Sequence, residues 1–312
     1  MRVRIGTRGS ALARVQAEDV ARRLHELGHQ TEILVMDTAG DRATDRAFAD
    51  IGAFGIFVRE IENALLDDRV DVAVHSYKDL PSQSPDGLAI AATPERVDVA
   101  DVLLIRRDMC DASGAAGALP VRVGARVGTS AARRAAFLRA MRPDIDIAML
   151  RGNVPTRIRA LEEGRFDAIV LAAAGLLRLE RAVASVLVLP ATLVRVRLDP
   201  ERFVPAPAQG ALAVQVRADD ARTRTAVAPL DDPTVARAIR AERAVLALAE
   251  GGCTLPLGAW CRNEGGDHLR LFAALGAEDG SVRRAEVRGD DPERLAADAW
   301  QALSETFAGR PS

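Results

Sequence analysis

Lysine is nearly missing from this chain. Of its 42 basic residues only Lys78 is a lysine, and the rest are arginine. An arginine-biased genome accounts for most of that imbalance, but not for where the one lysine sits. Aromatic residues make up 4% and the formal net charge is −2, with both signs scattered. That excludes a nucleic-acid binder working through a general basic field and base stacking. No apolar run approaches the roughly 18 residues of a membrane span, so no membrane partner is expected. The opening MRVRIGTRGS has no apolar stretch of the kind that drives export, so a secretory signal is not expected. Three widely spaced cysteines make no disulfide framework and suit a reducing, cytoplasmic compartment. With four histidines and no CxxC, no metal site is expected. GTRGS and VGTS lack the glycines and lysine of a phosphate loop, and no GxGxxG opens a helix, so nucleotide binding has little support.

What is present is an α/β rhythm over 312 residues, enough for two or three domains. RVRI reads as a strand. SALARVQAEDVARRLHELG then puts Leu12, Val15, Val20, Leu24 and Leu27 near one helical face, between a Ser10 cap and a Gly28 stop. ILVM, the helix FVREIENALLDD and the strand VDVAV continue the alternation, which is the pattern of a parallel sheet covered by helices. It restarts after residue 100 with VLLI, the helix SAARRAAFLRAM, the strand DIAML, the helix VPTRIRALEEG and the apolar DAIVLAAAG. From about residue 233 it changes to helix, three short strands, helix. The fold expected is two doubly wound α/β domains, bilobal and periplasmic-binding-protein-like, facing a cleft, plus a small α+β domain with a three-stranded sheet. The boundaries expected are 1–99 with 200–220 for domain 1, 100–199 for domain 2 and 222–312 for domain 3.

Arginines recur where the strands hand over to helices: Arg8 in GTRGS, Arg133 and Arg134 after GTS, Arg151 in RGN, and Arg157 in the helix that follows. A cation in a helix's first turn opposes the macrodipole at a cost of up to ~1 kcal/mol. Helix N-termini bind anions, and an arginine fork grips a carboxylate with two parallel bonds. Five such placements point to a ligand with several carboxylates, whereas any one of them alone is better read as a solvated arginine. VAVHSYKDLP delivers His75, Ser76, Lys78 and Asp79 to a strand end. There the aspartate either stabilises a developing cation and moves a proton, or simply pairs with the lysine. His75 reads as structural. Cys253, in LAEGGCTLP, follows two glycines and is a candidate nucleophile or attachment point if exposed. Cys261 reads as a small buried apolar residue and Cys110 as incidental.

GTRGSALA, VAVHSYKDLP, VGTSAARRAAFL, RGNVPTRI, FDAIVLAAAGLLRL, PAPAQGALAVQ and LAEGGCTLP, in that order, resemble the porphobilinogen deaminase (hydroxymethylbilane synthase) family across nearly the whole chain. The resemblance implies a transferase of tetrapyrrole and heme biosynthesis. It would join four porphobilinogens head to tail into hydroxymethylbilane, with loss of ammonia. The implied cofactor is a dipyrromethane primer held by a thioether to Cys253, so that this cysteine tethers the growing polypyrrole. Asp79 matches the family's catalytic aspartate. By the same resemblance Lys78, Ser76, Thr129, Ser130, Arg133, Arg134 and Arg157 would hold the cofactor. Arg8, Ser10, Arg151, Gly152, Arg178 and Gln209 would hold substrate. A monomer is expected.

Four positions depart from the family pattern. Ala53-Phe54-Gly55 stands where Gly-Lys-Gly is common, and Ala131 where a second serine often follows GTS. Ala208 replaces the first glycine of Gly-Gln-Gly, and Gln215 a glutamate. Two rival readings remain. One is a bilobal anion-binding protein without turnover. The other is a cysteine acyl transferase, which would need His268 as its base.

Overall fold

A computed structural model of the chain describes residues 1–36, 56–111, 119–182, 187–249 and 255–308. In chain order the elements are β1 (Arg2–Arg8), α1 (Ala11–Glu26), β2 (Gln30–Met36), α2 (Ile56–Leu66), β3 (Val72–Ser76), β4 (Leu88–Ala92) and β5 (Asp101–Arg106). There follow β6 (Arg126–Gly128), α3 (Ala132–Met141), β7 (Asp146–Ala148), α4 (Val154–Glu162), β8 (Ala168–Ala172), α5 (Ala173–Arg181), β9 (Leu193–Arg197) and β10 (Leu212–Arg217). The last are α6 (Ala221–Val227), α7 (Pro233–Leu248), β11 (Leu257–Gly265), β12 (His268–Gly276), β13 (Val282–Gly289) and α8 (Pro292–Ala308).

Two compact units result: Met1–Val97 with Gly210–Arg237, and Asp98–Gln209 with Ala238–Ser312. The sequence suggested three bodies, with boundaries at 99/100, 199/200 and 221/222. Here residues 238–312 cluster with 98–209, for reasons given below.

The first unit is one five-stranded sheet in the order β2-β1-β3-β10-β4. β1 runs parallel to β2 and β3, whereas β10 is antiparallel to both β3 and β4. Val3 and Ile5 of β1, Val72 and Val74 of β3, and Val214 and Val216 of β10 share a core with Val20 and Leu24 of α1. Full burial of one such side chain is worth ~1.5–3 kcal/mol, and this stripe is what holds α1 on the sheet.

The second unit repeats the plan as β7-β6-β8-β5-β9. β6 is parallel to β7 and β8, and β5 is antiparallel to β8 and β9. Both sheets are therefore mixed, not purely parallel as the alternation suggested. In each, the chain reaches the antiparallel strand directly from the other unit, not through a crossover helix of the kind parallel neighbours require. β4, β6, β9, β10 and α6 were not anticipated.

Residues 238–312 form the antiparallel sheet β11-β12-β13 with α7 and α8. β12 is buried on both faces. Leu269, Leu271, Ala273 and Leu275 meet Ala241 and Val245 of α7 and Leu295 and Ala299 of α8. Phe272 and Ala274 instead join the core around Phe137 and Phe203. β11 also meets the chain's return segment, because Ala259 N–H donates to the Pro205 carbonyl at 3.0 Å. A Cβ on Gly258 would fall 2.5 Å from the Val204 carbonyl oxygen, so only glycine fits there. The buried Glu242 of α7 accepts from Ala208 N–H at 2.6 Å and from Cys261 N–H at 2.8 Å. These contacts unite the small sheet with residues 98–209.

Candidate functional site

In the first unit, β1 and β3 are parallel neighbours, so Arg8 and Ser76 end at the same edge. Ser10 then caps α1, its hydroxyl accepting from Ala13 N–H at 3.3 Å. β3 passes directly into a single 3₁₀ turn, Tyr77–Asp79, which carries Lys78 and Asp79. Tyr77 N–H donates to the Ala211 carbonyl at 3.1 Å and Leu80 N–H to the Tyr77 carbonyl at 3.2 Å, fixing that turn. Gln16, buried on α1, donates its side-chain amide to Ser76 Oγ at 2.7 Å. Sequence reasoning missed this tie, since a glutamine in a helix gives no signal of its own. Ser76, Lys78 and Asp79 are half-buried, and among the described residues this edge brings together Arg8, Ser10, Ser76, Lys78 and Asp79.

Beneath the turn lies a buried polar chain. His75 Nε2 is 3.1 Å from Gln215 Oε1, and Gln215 Nε2 donates to Glu62 Oε1 at 3.1 Å. A carbonyl oxygen only accepts, so His75 carries its proton on Nε2. Burial pushes its pKa down from 6.5 to about 4, with the Gln215 bond acting weakly the other way. A neutral, enclosed imidazole holds the strand and is not a proton donor near neutral pH, as the sequence indicated.

In the second unit β6, β7 and β8 end side by side. Thr129 N–H donates to the Ala148 carbonyl at 3.0 Å and Leu150 N–H to the Thr129 carbonyl at 3.3 Å. This sets the GTS and RGN segments next to each other. Thr129 Oγ1 accepts from Ala131 N–H at 3.2 Å. Ala131 is the N-cap of α3 and offers no side-chain cap. Ser130 and Arg151 are exposed. Gly152 has φ +108°, and a Cβ there would meet Thr156 at 3.0 Å, so glycine is required at this turn. Asn153 caps α4, accepting from Thr156 N–H at 3.0 Å. Arg157 Nε donates back to the Gly152 carbonyl at 2.7 Å. Arg178 is half-buried on α5, the helix that follows β8.

Arg133 and Arg134 are 5% and 6% exposed, and both engage Asp101, which is 0% exposed. Asp101 Oδ2 accepts from Arg133 Nη2 at 2.7 Å. Its Oδ1 accepts from Arg134 Nε at 3.0 Å, Arg134 Nη2 at 2.7 Å and Gln209 Nε2 at 3.0 Å. Arg133 Nη1 also donates to the Val204 carbonyl at 2.8 Å, and Arg134 Nη1 to the Val170 carbonyl at 3.1 Å. Phe137 and Phe203 lie against the Arg133 guanidinium, at 5.8 and 5.7 Å to their centroids. Burial, helped by its cationic neighbour Arg134, holds the Arg133 pKa below its ordinary value, partly offset by Asp101.

The anion that the first-turn arginines of α3 call for is thus in part the chain's own carboxylate. Sequence reasoning missed Asp101, although an acid at the head of the apolar run VLLI is itself a signal, because buried carboxylates need partners. Gln209, assigned to substrate by resemblance, bonds here to Asp101 and to the Val99 carbonyl, the latter at 2.8 Å. Two guanidiniums facing one carboxylate retain an excess positive charge, which suits a carboxylate-bearing ligand.

Cys253, Phe54 and the Ala53–Gly55 departure lie outside the described residues. Cys261 is buried in β11, and Cys110 is half-buried in an isolated bridge with Val121. His268 opens β12 after the turn from β11. Among the described residues no group of acidic, histidine or cysteine side chains could hold a metal ion, and no helix is long and apolar enough to cross a membrane.

Residues 3–225 match the profile described as the porphobilinogen deaminase, dipyromethane cofactor binding domain. Residues 236–305 match the porphobilinogen deaminase C-terminal domain. A porphobilinogen deaminase of Syntrophobacter fumaroxidans is 41% identical over 315 residues, covering 99% of this chain and 96% of that one. One from Roseiflexus sp. is 45% identical over 297 residues, covering 93% and 92%. A third, from Stenotrophomonas maltophilia, is 42% identical, covering 98% and 97%. Among solved structures, an ancestral cationic amino acid solute binding protein overlays with TM-score 0.44 at 16% identity, over 73% of this chain and 87% of its own. That likeness is too loose to add to the topology already described.

Proposed function

The chain belongs to the porphobilinogen deaminase family, and from that premise we propose that it condenses four porphobilinogen molecules head to tail into hydroxymethylbilane, releasing ammonia at each step. The observation that carries this reading beyond the name is the buried Arg133–Asp101–Arg134 cluster. Its two cations exceed its one anion at a sheet edge where helix N-termini also gather.

The dipyrromethane, when bound through Cys253, supplies the primer that carries the growing chain. Its acetate and propionate groups match the donors of the second unit. Arg133 and Arg134 would hold carboxylates by charge, with Thr129, Ser130 and Arg157 adding bonds near the same strand ends. From the first unit Lys78 would pair with another carboxylate, which gives the one lysine a role, and Ser76 would accept or donate beside it. Arg8, Ser10, Arg151, Gly152, Arg178 and Gln209 are assigned to substrate in this reading. For Gln209 the assignment now runs through Asp101.

Asp79 carries the chemistry. Loss of ammonia leaves a cation on the substrate pyrrole, and a fixed carboxylate stabilises that charge as it develops and takes up the proton released on coupling. The short turn that holds Asp79 is pinned by two backbone bonds, so its carboxylate needs little reorganisation at the moment of reaction. A monomer acting in the cytoplasm completes the reading. Relatives named as porphobilinogen deaminases match almost end to end, which favours turnover over anion binding alone.

Intact mass spectrometry tests the proposal. Protein purified from cells that make porphobilinogen should carry an excess of two linked pyrroles, absent from Cys253→Ser. A wild-type mass that stays unmodified even after incubation with porphobilinogen would sink it.

A further inference from the structure

We propose that Asp101 is a positioning residue for the dipyrromethane, holding Arg133 and Arg134 as one rigid, singly positive seat for a carboxylate of that group. This rests on the functional reading above.

Three observations lead to it. Asp101 is the first residue of β5 and opposes Ala172, the last of β8. Because β5 runs antiparallel, its beginning lies at the same edge as the ends of the parallel strands. The carboxylate is therefore carried by the sheet itself and not by a loop. Secondly, both of its oxygens are engaged, and by different arginines. Oδ2 takes Arg133, and Oδ1 takes Arg134 through Nε and Nη2. Neither fork can rotate without breaking a buried, charge-assisted bond. Thirdly, the cluster is braced by its surroundings. The Val204 and Val170 carbonyls each accept one Nη1 bond, and Phe137 and Phe203 flank Arg133, which leaves N–H donors on both forks for a ligand.

Two guanidiniums side by side without Asp101 would repel one another and sample several rotamers. With it they present a fixed charge of one, the complement of a single carboxylate. An arginine already restrained loses less freedom when its ligand arrives, so the gain is in preorganisation. Gln209 is the second support. Its amide joins Asp101 Oδ1 to the Val99 carbonyl and so braces the segment leading into β5.

The test uses full-length protein made in cells unable to synthesise porphobilinogen, then mixed with porphobilinogen. The rate at which the two-pyrrole mass increment arrives is followed, and Tm is measured before loading. Asp101→Glu keeps the charge and displaces the carboxylate by one methylene. It should load on the order of 10- to 100-fold more slowly than the parent, with Tm within a few degrees. Loading at the parental rate, or slowed only in proportion to a loss of folded protein, would overturn the proposal. If that variant does not fold, Gln209→Leu decides. It leaves all three charges in place and removes one brace, and slower loading is again expected, whereas the parental rate refutes the role. Failure of the parent itself to load would count against the proposed function and not against Asp101.

Discussion

The two units share a strand plan but differ in what their antiparallel strand brings inside. In the first, β10 contributes Gln215, a neutral amide that bridges His75 and Glu62. In the second, β5 contributes Asp101, a carboxylate set against two guanidiniums. Both are buried, and each strand pairs antiparallel with the last of its unit's three parallel strands, β3 in the first and β8 in the second. In the first arrangement the amide meets both its neighbours, accepting from His75 and donating to Glu62. The second leaves a positive charge unmatched. One frame therefore supports two kinds of interior, one suited to presenting a reactive carboxylate on a stiff turn, the other to holding an anionic ligand.

The sharpest way to break this division is Asp79→Ala. If the first unit carries the chemistry and the second the holding, this variant should still acquire the two-pyrrole increment. Its turnover of porphobilinogen should fall by on the order of 10²–10⁴. Loss of loading together with turnover would show that the roles are not separated in this way.

A smaller effect reads the first unit's interior. His75 stays neutral in the folded chain down to about pH 4, against 6.5 when exposed. Above about pH 6.5 neither state binds the proton and full stability is present. As pH falls toward 4 the unfolded chain takes up a proton that the folded one refuses, so stability drops by up to about 3 kcal/mol. Urea midpoints for the parent should show that fall between these limits. They should decline less in His75→Gln, and equal slopes in the two proteins would remove His75 from the account.

The smallest effect belongs to Ala208, whose φ is +61°. A left-handed residue with a Cβ costs ~1–2 kcal/mol, and glycine's extra freedom in the unfolded chain returns ~0.4–1 kcal/mol of that. Ala208→Gly should therefore stabilise the second unit by about 0.5–1 kcal/mol, seen as a higher urea midpoint. No gain would mean that the Glu242 bond to its N–H, and not the backbone angle, sets this position's energy.

Much of this was legible in the sequence because it is local. Apolar runs marked β1, β3, β5 and β8, Ser10 lies where a cap belongs, and HSYKD and GTSAARR announced the strand ends. What was not legible depends on partners far apart in the chain. Asp101 meets Arg133 and Arg134 across 32 and 33 residues, and Gln215 meets His75 across 140. No periodicity encodes such pairings. The same distance hid the antiparallel β10 and β5, since alternation reveals elements but not their direction. The Ala208 departure, a bare substitution in the sequence, acquires a cost once its backbone angle is known. The Gln215 departure gains a reason from Glu62, to which an amide can donate and an ionised glutamate could not.

The place of β10 has a consequence for how the protein is made. This strand lies in the sheet between β3 and β4, yet it leaves the ribosome some 120 residues after them. Until then β3 and β4 have no shared neighbour, and the nascent first unit is a sheet split through its middle, with an open edge on either side. The second unit's five-stranded sheet falls wholly within residues 98–209, so it can close while the first still waits. Of the two five-stranded sheets, the one begun first is therefore the one closed later, and β3, which carries Asp79 at its tip, stays unpaired along that edge for more than a third of the chain's length.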